Sequence, residues 1–104
     1  MKRLGLSFSD AAISDMLEQA EWYEQQANSD LSKQWEEAAS STIIRLVQRP
    51  YSGAPCRFKS DSLRGLRRVS VAGFSKHLVF YRIENNSVVI LRVIHGARDL
   101  ERLL

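Results

Sequence analysis

The chain has one cysteine, Cys56, two prolines, five glycines, two histidines and no run of eighteen apolar residues. One thiol cannot close an internal disulfide, which suits a reducing cytosol. Without a long apolar run a transmembrane helix is excluded. The start is basic at Lys2-Arg3 and then apolar, but too short and too alternating for a signal peptide. A cytoplasmic location, away from membranes, is the expectation. No Cys/His cluster has ligand spacing, and the adjacent Glu36 and Glu37 cannot face one site on a helix. The glycines are too scattered to cradle a phosphate. No metal, cofactor or small-molecule substrate is therefore expected. Nothing beside Cys56 would activate it, so it reads as a plain loop thiol.

What is present is ordinary globular material. Apolar residues make up 44% and charged residues 26% of the chain, too apolar for disorder. At 104 residues, a single domain over 1–104 is expected, because two halves would each be marginal. The net charge of +3 hides an asymmetry. Residues 1–50 hold five basic and eight acidic residues, whereas residues 51–104 hold ten basic and four acidic ones. The second half suits a polyanion or an acidic protein, or else a solvated basic face.

Leu4, Leu6 and Phe8 alternate with small polar positions and predict a first strand with one buried face. Ser9 or Asp10 caps a helix whose apolar stripe runs Ile13, Met16, Leu17, Ala20, Tyr23 and Ala27. Asn28-Ser29-Asp30 breaks that helix and caps a second one. Its inner side carries Leu31, Trp35, Ala38, Ala39, Thr42, Leu46 and Val47, and Pro50 ends it. So short a link makes the two helices an antiparallel hairpin. Residues 51–62 show no period and read as a loop. Three strand-like runs follow over 66–72, 76–84 and 87–95. Gly73-Phe74-Ser75 joins the first two, and Asn85-Asn86 makes a tight turn between the last two. The run Val88 to Ile94 is apolar on both faces and reads as a central strand. The tail 97–104 has helical spacing. The fold expected is α+β with the order β-α-α-β-β-β: a helical hairpin on one face of a curved, mostly antiparallel sheet. The first strand must join that sheet, and the basic residues after Pro50 are expected on its uncovered side.

Three segments resemble the RelE/ParE toxin superfamily of type II toxin–antitoxin systems, nearer its ParE branch. They are Ile43-Ile44-Arg45-Leu46-Val47-Gln48-Arg49-Pro50 followed by Gly53, then Leu66-Arg67-Arg68-Val69 leading to Leu78-Val79-Phe80-Tyr81-Arg82-Ile83, and the ending Ile90-Leu91-Arg92-Val93-Ile94-His95-Gly96-Ala97-Arg98-Asp99. The last is the most specific and is similar to ParE-type and plasmid-stabilisation toxins. The resemblance covers almost the whole chain. It implies a growth-arresting toxin neutralised by a cognate antitoxin. It also implies one of two targets: DNA gyrase, poisoned without chemistry, or mRNA on the ribosome, cut by an endoribonuclease.

Cutting RNA by its 2′-hydroxyl requires a base, a cationic stabiliser and an acid. The candidates for those roles are Arg68, His77, Tyr81, Arg82 and His95. Tyr81 shares a strand face with His77 but reads as a half-buried aromatic with a surface hydroxyl, and His77 reads as exposed. RelE-like ribonucleases tend to end in an aromatic or His/Tyr pair; this chain ends Glu101-Arg102-Leu103-Leu104, which favours the gyrase type. The expected target-binding cations are Arg64, Arg67, Arg68, Lys76, Arg92 and Arg98. Arg67 and Arg68 lie on opposite faces of their strand. Arg82 and Arg92 sit in apolar runs and call for partners, with Glu84 and Asp99 available.

Overall fold

The computed structural model describes residues 4–96 and Leu104. Strand β1 (Gly5–Phe8) leads into helix α1 (Asp10–Gln26) and helix α2 (Ser29–Gln48). A two-residue strand β2 (Ala54–Pro55) and a single 3₁₀ turn (Asp61–Leu63) follow, then β3 (Arg67–Val71), β4 (Phe74–Glu84) and β5 (Ser87–His95). The five strands form one sheet in the order β1-β5-β4-β3-β2. β1 lies parallel to β5, and the other neighbours are antiparallel. The expected element order holds, with β2 added inside what reads as a loop.

Local chemistry sets the boundaries. Ser9 is the cap of α1: its side chain accepts from Ala12 N–H at 3.0 Å. Asn28 caps α2, accepting from Leu31 N–H at 2.8 Å. Each side chain satisfies one of the free amides at a helix start. α2 stops at Gln48, before Pro50. Asn85 and Asn86 both take positive φ, 48° and 62°, which suits a two-residue hairpin.

The main core lies between the helices and one sheet face. Ala12 and Ala20 of α1 and Trp35, Ala39, Ile43 and Leu46 of α2 pack with Val71, Val79, Tyr81, Val88, Ile90 and Val93. The Ser32 hydroxyl donates to Ala20 C=O at 2.8 Å and ties the helices together. Thr42 Oγ1 accepts from Ala72 N–H at 3.1 Å and ties α2 to the β3–β4 turn.

Three expectations are corrected. α1 turns the line Ala12, Met16, Ala20 and Tyr23 inward, leaving Ile13 and Leu17 46% and 66% exposed. The alanines allow the helix to lie close to the sheet, and Ile13 and Leu17 fall on its flank. β1 is exposed along its length, because an edge strand has only one neighbour and α1 packs mainly over β5; only Leu4, just before it, packs on the core. Finally, the sheet's second face is not bare. Leu66, Phe80 and Ile94 form a smaller buried cluster there, covered by Cys56 and Phe58 from the 55–66 segment and by Leu104.

Candidate functional site

Where α1 passes the end of the sheet, a groove of about 960 Å³ opens between Asp15, Glu18 and Trp22 on one side and Lys76, His77, Arg92 and His95 on the other. It exists because β1 ends early. β1 pairs with β5 only up to Phe8 opposite Ile90, so among the described residues no strand lies beside the outer edge of β5 beyond that rung. Ser9 and Asp15 serve that edge instead. Ser9 N–H donates to Ile90 C=O at 2.9 Å, and its hydroxyl to Leu91 C=O at 2.7 Å. The Asp15 carboxylate accepts from Val93 N–H at 3.0 Å and from Arg92 Nε and a terminal Arg92 nitrogen at 2.7 and 2.8 Å. The hydrogen bonds to Asp15 hold the guanidinium's pKa above its ordinary value, against the lowering effect of burial. A bulge assists: Tyr81 faces Ile90 and Phe80 faces Arg92, leaving Leu91 without a rung of its own.

His77 is buried in this region rather than exposed, and it sits across from His95 in the β4–β5 ladder. The two imidazoles meet edge to face with centroids 5.6 Å apart. His77 Nε2 lies 3.0 Å from the Tyr23 hydroxyl, and Trp35 and Phe74 close around the ring. Burial first, and His95 second, hold the His77 pKa below the ordinary histidine value. That shift favours the neutral imidazole, which shares a hydrogen bond with the Tyr23 hydroxyl in a direction set by its tautomer; burial raises the Tyr23 pKa.

Tyr81 shares the helix-facing side with His77 but serves a different structure. Its hydroxyl is buried, donating to Pro50 C=O at 2.8 Å and accepting from Gly53 N–H at 2.9 Å. Burial pushes its pKa up. A side-chain carbon on Gly53 would lie 2.5 Å from that hydroxyl and 2.8 Å from Arg68 C=O, so only glycine fits. The surface hydroxyl expected from the sequence is instead a bolt holding the 50–53 turn.

The basic residues after Pro50 divide among several places rather than gathering on one face. Arg67 is on the helix side, donating to Gly53 C=O at 2.7 Å and lying 5.1 Å over the Tyr51 ring. Arg64 pairs with Asp61 at 2.9 Å, fully in solvent. Arg82 pairs with Glu84 at 2.8 Å, as the apolar run demanded, and donates to Ser62 C=O. Arg92 is taken by Asp15, a partner 77 residues away that spacing did not reveal. Arg68 and Lys76 border a second hollow, of about 490 Å³, with Ser70, Ser75, Leu78, His95 and Gly96. Arg98 and Asp99, and the helical spacing of the tail, lie outside the described residues.

Of the five candidates for RNA cleavage, therefore, His77 and His95 meet ring to ring, and His95 shares a hollow with Arg68. No three His, Cys, Asp or Glu side chains among the described residues converge as metal ligands. No described helix is long and apolar enough to cross a membrane.

Comparison with solved structures bears on this architecture. A chain of the chromosomal ParDE toxin–antitoxin system from P. aeruginosa superposes with a TM-score of 0.74 at 15% identity, covering 89% of this chain and 96% of that one. One from the RelBE2 toxin–antitoxin complex of Mycobacterium tuberculosis gives 0.60 at 21% identity, covering 90% and 99%. The YoeB dimer of Staphylococcus aureus gives 0.54 at 21% identity, covering 90% and 98%. Such identities establish a shared fold. No curated protein sequence matches significantly. The family model for the ParE toxin of the type II toxin–antitoxin system parDE matches residues 6–100, so this chain belongs to the ParE toxin family.

Proposed function

We propose that this type II toxin, the partner of a cognate antitoxin, arrests growth by binding DNA gyrase and not by cutting RNA. The observation that carries this reading is how the acid/base side chains are used. Tyr81 spends its hydroxyl on Pro50 and Gly53, and His77 is buried against Tyr23. Arg82 is occupied by Glu84. A ribonuclease needs a base and an acid within hydrogen-bond reach of the ribose hydroxyl and the leaving oxygen. Of His77, Tyr81 and His95, the candidates able to move a proton, the first two are structural.

A binder needs only a shaped, charged surface, and this chain has exposed Trp22 and Tyr51 together with basic side chains from three strands. Aromatic and arginine side chains dominate the energetics of protein interfaces. In a supercoiling assay, toxin at molar excess should block gyrase and raise the amount of cleaved DNA. Undiminished supercoiling at that excess rules the reading out.

One observation favours the second reading, a ribosome-dependent endoribonuclease. His77, His95, Tyr23 and Lys76 all border one groove. Primer extension on cellular mRNA after toxin induction separates the two. Codon-positioned cuts would establish the ribonuclease, whereas intact transcripts in arrested cells would support the binder.

A further inference from the structure

We infer that the hollow lined by Arg68, Ser70, Ser75, Lys76 and Gly96 is a contact site for the phosphodiester backbone of duplex DNA. The inference starts from which cations are committed elsewhere. Arg64 faces Asp61, Arg67 is held by backbone carbonyls and Tyr51, Arg82 by Glu84, and Arg92 by Asp15. Among the described residues Arg68 and Lys76 have no carboxylate partner, and both are exposed. These two cations border the same hollow, and no carboxylate among the described residues lines it. The Arg68 charge is felt by its neighbour Cys56, whose thiol it draws down against the larger upward effect of burial.

The backbone brings the two together. Ser70 pairs with Leu78 and Val71 with Phe74, so Ser75, Lys76 and His77 have no rung on β3. The extra length carries Lys76 and Ser75 to the end of the β3 face that holds Arg68 and Ser70. Gly96 N–H donates to Lys76 C=O at 2.7 Å and fixes that end. Two cations and two hydroxyls around one concavity make a receptor for anionic oxygens. The lining also selects the form of nucleic acid. Leu78 is its one large apolar side chain, and the His95 imidazole is its one ring; among the described residues no Phe, Tyr or Trp lines it. Splayed single-stranded bases stack on rings in succession, and a single imidazole offers no such series. A duplex presents phosphates alone to such a surface, so contact is with the backbone and without sequence preference.

The test is direct and independent of gyrase. Fluorescence anisotropy of a labelled 20-base-pair duplex is followed against added full-length toxin over a salt series. Two phosphate contacts give a slope of about −1.8 in log affinity against log salt, so affinity falls roughly 12-fold between 50 and 200 mM. The double variant Arg68→Gln/Lys76→Gln should bind at least 10-fold more weakly and lose most of that slope. Arg45→Gln/Arg49→Gln removes the same charge from the end of α2 and should bind as the parent does. Circular dichroism melts confirm that each variant is folded. Equal weakening by both double variants overturns the inference, as does tighter binding of a single-stranded thymidine oligomer than of the duplex. Failure to bind duplex while still inhibiting gyrase removes this site and leaves the gyrase reading standing. Duplex binding without gyrase inhibition does the reverse.

Discussion

His77 shows how burial converts a titratable side chain into a condition on stability. Its folded pKa lies below that of the unfolded chain, through burial first and His95 second. Between the two values the unfolded state binds more protons, so stability rises with pH there. Stability should be full above about pH 6.5, the ordinary histidine value, and fall as the solution is acidified below it. Urea midpoints at pH 7.5 and 5.5 should therefore differ for the parent, and differ less for His77→Asn. Identical slopes would mean the imidazole does not govern this range. Tyr81 makes the complementary case with a neutral group. Tyr81→Phe removes the partner of Gly53 N–H and of Pro50 C=O without changing volume. Loss of a buried hydrogen-bond partner costs about 1–3 kcal/mol, which urea unfolding would read. A change within error would show that water replaces the hydroxyl.

Between α1 and β5, one carboxylate does the work of a missing strand. Beyond Ile90 the edge of β5 would offer free amides to another sheet, a standing invitation to aggregate. Asp15 occupies one of those amides and neutralises Arg92 at the same time. The pair is largely buried, with the Arg92 and Asp15 side chains 22% and 10% exposed. Asp15→Ala should lower unfolding free energy by about 2–4 kcal/mol, since it leaves a charge and a backbone donor unpaired together. The double variant Asp15→Ala/Arg92→Met should recover much of that loss. If the single and double variants were equally unstable, the carboxylate's hold on Val93 would matter more than its pairing with Arg92. Light scattering would show whether the uncovered edge also self-associates.

The whole molecule leaves Ile13, Leu17, Trp22 and Ile44 exposed along its helical hairpin, while its smaller second cluster is covered by a loop and Leu104. A toxin with that distribution gains stability from a partner that covers apolar surface. Antitoxin at 100 times its dissociation constant should add about 2.7 kcal/mol. For a chain near 100 residues each kcal/mol shifts the melting midpoint by roughly 4–8 °C, so a rise of about 10–20 °C is expected by differential scanning fluorimetry. Hydrogen exchange of α1 in the presence and absence of antitoxin would tell whether the exposed hairpin is the covered face. Unchanged exchange throughout α1 would assign the contact elsewhere.

Short-range chemistry was legible in the residue order alone. Ser9 or Asp10 and the triplet Asn28-Ser29-Asp30 marked the helix starts, Pro50 the helix end, and Asn85-Asn86 the hairpin, because caps and turns depend on neighbours a few positions apart. The apolar run in residues 87–95 identified β5 to the residue, and the segments flanking Pro50 and His95 pointed to the family. Pairings across long separations were not legible. Asp15 with Arg92, Tyr23 with His77 and Tyr81 with Pro50 join residues 31 to 77 positions apart, and spacing carries no trace of them. Nor did it show which flank of α1 faces inward, since Ile13 and Leu17 are as apolar as the residues that are buried. Packing settled both: helix rotation follows the small side chains that permit close approach, and a cation's availability depends on which carboxylate the folded chain brings beside it.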